Sequence, residues 1–420
     1  MQVLRLAKKS NSFSPKLEML LVCLFLCMEI LGFFTLGESI GTTRVLKVIL
    51  RMLSTAGIAF FVLKQLGNCP KIQFTHSNPL LFYIAYLFLG IISVYWSTLP
   101  SYSILQLFMT LESFLFSFLF IIYLVRKTTS TTFTQELARY LHWAIFPITL
   151  VFALGYFIAP DQFVRLTHGG AVARLGGYLM NPNEMGMLCG VAIAALICAL
   201  KNKQVSFLHY WPGLLYMAVL LLTESRSSLI AVVLVLAAVT LQKGNKKQIG
   251  MLFLAGCILA PIAFFGIVLK EGDYSEVFSL TGRLPFWTAL LTEGFPKSPF
   301  FGFGFMRIAW TDAFHSVNSY CAKMTHNTFI QVIMNLGLVG FGIIIVQLTS
   351  TIKTALNEKR KGLQLFFALL MIPLLVNSLT EFGIYGESNF GILFFQLLFL
   401  AISIDSHKEK YNRDAKLIKL

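Results

Sequence analysis

The sequence predicts an all-α polytopic membrane protein with a single membrane domain over residues 1–420, and three observations predict it. Hydrophobic residues make up 56% of the 420 and charged residues only 13%, with 40 Phe against 19 Asp plus Glu. Soluble domains are nearer about 45–50% apolar and about 25% charged, so a water-soluble enzyme is excluded. Apolar runs of roughly 17 to 22 residues recur from end to end, each long enough to cross a hydrocarbon core about 30 Å thick. Finally, the 34 Lys and Arg gather in short segments between these runs, so the net charge of +15 reports topology, and no nucleic-acid partner is expected.

The apolar windows place about twelve transmembrane helices, at 18–36, 45–63, 79–96, 104–125, 139–158, 184–200, 207–223, 227–242, 249–269, 328–350, 362–380 and 389–405. The first follows Arg5, Lys8, Lys9 and Lys16 and lacks a small-residue cleavage site, so it reads as a retained anchor. With the N-terminus in the cytoplasm, 23 of the 34 Lys and Arg fall on the cytoplasmic side and nine outside, while Lys47 and Arg51 lie within the second span. The positive-inside rule therefore puts both termini in the cytoplasm. The outward loops are mostly short, apart from 159–183 and the long loop 270–327 between helices 9 and 10.

Within that long loop, Leu284 to Leu291 is apolar and carries Pro285, Phe286 and Trp287, which predicts a short interfacial helix on the outer membrane surface. The following stretch, Pro296 to Phe305, reads as a tight loop whose aromatics dip into the interface. The cysteines are Cys23, Cys27, Cys69, Cys189, Cys198, Cys257 and Cys321, an odd number with no C-x-x-C pair, so neither a zinc site nor a disulfide framework follows.

This topology brings four polar groups to the outer face. They are Arg174 to Glu184 (R-L-G-G-Y-L-M-N-P-N-E), Glu224-Ser225-Arg226 in a hairpin between spans, Thr281-Gly282-Arg283, and His326-Asn327 at the start of the tenth span. Either Asn181 or Asn183 can cap the sixth helix, and Asn327 can orient His326 or cap the tenth. Three arginines and a histidine suit the handling of a phosphorylated lipid. Guanidinium binds phosphate through paired N–H donors and neutralises a diphosphate leaving group, while histidine can take a proton from a sugar hydroxyl. The outer loops hold no D-x-D or clustered carboxylates, so no metal and no cofactor are expected.

Each feature also has a plainer reading. An interfacial arginine is most often a snorkelling anchor, which is the default taken for Arg165 and Arg307. Arg226 can simply pair with Glu224, and His326 can be structural. His168 and His315 are the other outer-face histidines. Glu29 and Glu112 lie inside spans, where a carboxylate is costly. They mark either a transport pathway or interhelical hydrogen bonding, and Lys47 and Arg51, one turn apart on the second span, can supply a partner or bind a lipid phosphate.

At R-L-G-G-Y-L-M-N-P-N-E-M-G (174–186), E-S-R-S-S (224–228), T-G-R-L-P-F-W (281–287), K-S-P-F-F-G-F-G (297–304) and H-N-T-F-I-Q with G-L-V-G (326–340), the chain resembles the O-antigen ligase and surface-polysaccharide polymerase superfamily of bacterial membrane glycosyltransferases. The resemblance is specific over about 170–340. It implies a GT-C-like fold in the bacterial inner membrane with a periplasmic or extracellular active face. It also implies a metal-independent transfer of a glycan from undecaprenyl diphosphate to a sugar hydroxyl in lipopolysaccharide or exopolysaccharide assembly. The acceptor is the lipid A core for a ligase and a second lipid-linked glycan for a polymerase. Arg226, Arg283 and His326 stand at the family's functional Arg, Arg and His, and Arg174 at a further basic position, so that Arg174, Arg226 and Arg283 would hold the diphosphate, supported by Asn181, Asn183 and Asn327. An R-x10-G pattern of some polymerases fits Arg165 with Gly176 and Arg283 with Gly294.

Two other classes compete. A polysaccharide transporter or lipid-linked glycan flippase predicts a polar midplane path and helices broken at Gly or Pro. A non-catalytic scaffold predicts that the Arg and His positions tolerate substitution.

Overall fold

The computed structural model describes residues 14–35, 39–65, 72–167, 172–201, 207–243, 283–305, 325–381 and 383–406. Its helices are α1 (Pro15–Leu31), α2 (Ile40–Lys64), α3 (Asn78–Ser93), α4 (Pro100–Lys127), α5 (Phe133–Ile158), α6 (Pro182–Leu200), α7 (Trp211–Thr223), α8 (Arg226–Lys243), α9 (Arg283–Ala289), α10 (Thr328–Leu356), α11 (Lys361–Thr380) and α12 (Phe390–Ser403). Seven helical segments among the described residues are long and apolar enough to cross a membrane: Ile40–Lys64, Asn78–Trp96, Pro100–Lys127, Phe133–Ile158, Pro182–Leu200, Thr328–Leu356 and Lys361–Thr380. The helices α1, α7, α8 and α12 are apolar but shorter, at 17, 13, 18 and 14 residues. The window expected at 249–269 lies outside the described residues.

The helices end where the local chemistry stops them. Ser14, Ser39, Asn181, Asn327 and Asn389 each accept a backbone N–H at a helix start, and Pro sits in the first turn of α1, α3, α4, α6 and α7. At the centre, α6 packs against α5, α7, α8 and α11, and α12 lies against α4 with every residue from Phe390 to Ser403 buried. Small side chains (Gly186, Gly190, Ala192, Ala194, Ala195) let α6 occupy this crowded position.

Two short antiparallel pairs add strand structure to a chain expected to be wholly helical. β1 (Ile72–Phe74) pairs with β4 (Ile404–Ser406), and β2 (Val164–Thr167) forms a hairpin with β3 (Val172–Leu175). Each strand has three or four residues, too short to leave a readable alternation beside the apolar windows.

The segment after α9 also differs from expectation. A π turn at Leu290–Gly294 and a 3₁₀ turn at Phe295–Lys297 follow it, and Phe286, Leu290, Phe303 and Met334 form a small core that seats this segment on α10. Phe303 and Phe305 therefore point into the protein rather than dipping into the interface, while Phe300 and Phe301 are exposed. The loop is fixed by a break in α10 at Gly337, where φ is 63° and ψ is −162°. The carbonyls freed at Met334 and Asn335 accept from Phe303 N and Gly304 N at 2.9 and 2.8 Å. The freed N–H groups of Leu338 and Val339 donate to the carbonyls of Pro299 and Phe300 at 2.8 and 3.1 Å. A broken helix in an apolar setting needs such substitutes for its lost hydrogen bonds. A Cβ on Gly302 or Gly337 would collide with the opposing backbone, which accounts for glycine at both contact points.

Glu29 and Glu112 meet one cation. Arg51 Nε lies 3.2 Å from Glu29 Oε1 and 2.6 Å from Glu112 Oε2, in a cluster where Arg51 and Glu29 are fully buried. Ser54 and Thr55 donate to the two carboxylates, and Arg51 also donates to the Met109 carbonyl and to Ser388 Oγ. The cluster ties α1, α2 and α4 together, so these carboxylates are interhelical bridges. Because removing the only guanidinium strands two buried carboxylates, Arg51→Met is expected to cost about 3–5 kcal/mol of stability. Adding Glu29→Gln and Glu112→Gln should recover most of that loss in thermal denaturation of the detergent-solubilised protein; a triple variant as unstable as Arg51→Met would contradict the bridging role.

Candidate functional site

The described residues of the four polar groups, Arg283 standing for the third, meet at one end of the bundle. It is formed by the β2–β3 hairpin, the start of α6, the α7–α8 turn, α9, the start of α10 and the end of α11. Proximity to α6 depends on Gly186, where a Cβ would lie 2.6 Å from Ser228 Oγ and 2.9 Å from Ser225 Cβ. The α7–α8 turn can therefore press against the Asn-Pro-Asn segment, and Ser228 Oγ donates to the Asn183 carbonyl at 3.3 Å.

Glu381, the residue that ends α11, lies at the centre and was absent from the sequence-derived set. Its side chain is only 2% exposed, yet three groups point at it. Arg283 donates through one terminal nitrogen to Glu381 Oε1 at 2.6 Å and through the other to the Thr380 carbonyl at 2.5 Å. Asn183 Nδ2 donates to the same Oε1 at 2.6 Å, and His326 Nδ1 lies 2.7 Å from Oε2. Burial by itself raises the Glu381 pKa. The His326 hydrogen bond and charge, Arg283 and the Asn183 hydrogen bond outweigh it, and the carboxyl ends below its ordinary 4.5.

An ionised carboxylate only accepts hydrogen bonds, so the proton in the contact sits on His326 Nδ1. A neutral ring then carries its lone pair on Nε2. Glu381 thus selects the imidazole tautomer and fixes the plane of the ring. Asn327 does not orient the ring: its Oδ1 accepts from Phe329 N and Ile330 N at 3.0 and 3.1 Å, and its Nδ2 donates to the Leu379 carbonyl. Trp287 Nε1 donates to the Thr325 carbonyl at 2.6 Å, which pins the approach to His326 against α9.

Arg174 joins the site from β3. It donates to Asn183 Oδ1 at 2.7 Å and to the Thr223 carbonyl at 2.9 Å, linking the hairpin, α6 and the α7–α8 turn. Its pKa is lowered first by burial; Glu381 and Glu224 act against that shift, and Arg226 and Arg165 reinforce it. Arg226, at the first residue of α8, is therefore an electrostatic neighbour of Arg174, and Arg165 stands directly across the hairpin from it. The exposed Arg165 belongs to the same positive region. Asn181 caps α6 by accepting from Asn183 N, which leaves Asn183 to bridge Arg174 and Glu381. Arg307, His168, His315, Thr281 and Gly282 lie outside the described residues.

Glu224 and His326 are the two non-glycine residues with positive φ among the described residues, at 48° and 50°. The left-handed region costs such residues on the order of 1 kcal/mol or more, and holding both there takes the surrounding hydrogen bonds. The strain sits where Arg226 leaves its turn and where His326 meets Glu381. As chemistry, the arrangement offers Nε2 as a proton acceptor beside arginines 174, 226 and 283, a combination suited to an anionic leaving group.

Because its pKa is lowered in the folded state, Glu381 contributes stability above the unfolded value near 4.5, and that contribution is lost as pH falls through the lower folded value. Glu381→Gln should cost about 1–3 kcal/mol at pH 7 and flatten the decline of the thermal midpoint below about pH 4.5. Parallel melting profiles for the variant and the parent from pH 7 to pH 3 would show that the carboxylate carries no such load.

Residues 211–345 match the family described as O-antigen ligase, a stretch that contains Arg226, Arg283 and His326 but not Arg174, Asn183 or Glu381. A search of curated proteins found no match. The family match supports the O-antigen ligase-like superfamily for this chain, and with it a membrane glycan-processing function of the ligase or polymerase type.

Proposed function

We propose that the protein transfers a glycan from undecaprenyl diphosphate to a sugar hydroxyl of an acceptor, the lipid A core or a second lipid-linked glycan, at the non-cytoplasmic face of the bacterial inner membrane. In this reading the chain spans the membrane about twelve times with both termini in the cytoplasm. The observation that carries the proposal is Glu381 bonded to both His326 Nδ1 and Arg283. His326 Nε2 accepts the acceptor hydroxyl proton while that oxygen bonds to the anomeric carbon of the donor. The bond from that carbon to the diphosphate oxygen breaks, and the diphosphate departs with its electron pair. Arg174, Arg226 and Arg283 offset the charge growing on it, which needs no metal.

A transporter reading draws on the break of α10 at Gly337, since broken helices line many transport paths. Here the gap is filled by the backbone of Pro299 to Gly304, which favours a fixed scaffold.

Purified protein in detergent, with lipid-linked donor and acceptor and no added metal, tests the proposal. His326→Ala should lose transfer by roughly 10²- to 10⁴-fold while still binding donor. Arg226→Lys and Arg283→Lys should each slow transfer roughly 10- to 150-fold despite keeping the charge, because an ammonium cannot reproduce paired guanidinium donors. Full turnover in His326→Ala rules out the base, and activity abolished by chelator rules out the metal-free mechanism.

A further inference from the structure

A charged cavity lies away from the Glu381 cluster. It has a volume of about 330 Å³ and its lining includes Thr43, Arg44, Lys47, Tyr102, Gln106 and Glu387. None of the four groups of the candidate site contributes to it. Its walls are the outer half of α2, the start of α4 and the segment 383–389 that leads away from Glu381.

This wall is firmly held. Tyr102 donates its hydroxyl to Glu387 Oε1 at 2.6 Å, and Gln106 Oε1 accepts from Ser388 N at 2.9 Å, leaving the Gln106 amide group as its donor end. Behind them, Arg51 reaches both the Met109 carbonyl and Ser388 Oγ. Arg44 and Lys47 are three residues apart, so they share one face of α2. Among the described lining residues two cations, Arg44 and Lys47, stand with one carboxylate, Glu387, which takes a hydrogen bond from Tyr102.

The position of the cavity along α2 identifies what it fits. Beside it, α2 presents Val45, Leu46, Ile49, Met52 and Leu53 as exposed apolar side chains, a surface suited to lipid tails. The basic pair lies in the first two turns of α2, beside the start of that surface. Arg44 and Lys47 do not fall among the 23 Lys and Arg on the cytoplasmic side, so the inside bias does not explain them. From the cavity, the paired cations and the adjoining apolar stripe, we infer that this is a binding site for the anionic phosphate headgroup of a membrane lipid. The inference does not depend on the transfer reaction.

Native mass spectrometry of the full chain in neutral detergent, titrated with dioleoyl phosphatidylglycerol or dioleoyl phosphatidylcholine, tests it. The first phosphatidylglycerol adduct should be the tighter one, and Arg44→Gln with Lys47→Gln should weaken it roughly 10- to 30-fold. Lys47→Arg should retain it, as should Lys359→Gln with Lys361→Gln at the other end of the bundle. If the double variant does not fold, Arg44→Gln alone, at an exposed side chain, should still weaken the adduct roughly 5-fold. Equal affinity for the two lipids, or an unchanged adduct in the variants, overturns the inference. Displacement of the adduct by millimolar inorganic phosphate also overturns it, because the cavity would then recognise a free anion rather than a lipid.

Discussion

The carboxylate of Glu381 carries a charge where only 2% of its side chain meets solvent, and that condition organises the polar end of the bundle. A buried charge survives only if several donors converge on it, and here they come from α6, α9 and the segment just before α10. Each of these donors also serves a second group or task. Arg283 holds the Thr380 carbonyl, Asn183 accepts from Arg174, and His326 is left with one basic nitrogen. Neutralising Glu381 would therefore loosen four segments together. The carboxylate links stability to chemistry, because the interaction that keeps it ionised also selects the imidazole tautomer.

The scaffold around this carboxylate is built to hold position. The break in α10 is closed by the Pro299 to Gly304 backbone, and the small core of Phe286, Leu290, Phe303 and Met334 keeps α9 against α10. Arg283 opens α9 and His326 immediately precedes the cap of α10, so this packing sets their separation. The positive φ of His326 falls where this framework meets the site. A base and its anion-binding partners need fixed spacing, and fixed spacing is what a filled helix break supplies.

Much of the helical frame was legible in the sequence because apolar length and Lys/Arg placement are strong, local signals. The windows near α2 to α6 and α10 to α12 coincide with helices, and the R-L-G-G-Y-L-M-N-P-N-E, E-S-R and H-N motifs converge with Arg283. The short strands were not legible: three or four residues of extended chain leave little periodicity, and β1 pairs with a strand more than 300 residues away. Glu381 was missed for a related reason. A lone carboxylate at the end of an apolar window has no motif around it, and its meaning comes from Arg283 and His326, 98 and 55 residues earlier in the chain. The available signal was its place, one of few acidic residues at the outward end of a span. Arg51 was visible as a partner for Glu29 and Glu112, but only packing shows that it serves both at once.

The most direct measurement is a double-mutant cycle on the transfer rate with Glu381→Gln, His326→Ala and the pair combined. If the carboxylate acts through the imidazole, the double variant will be much less impaired than the product of the two single losses, by about tenfold or more. Losses that multiply to within about twofold would mean that Glu381 and His326 contribute independently, and the account of a carboxylate-held base would be wrong.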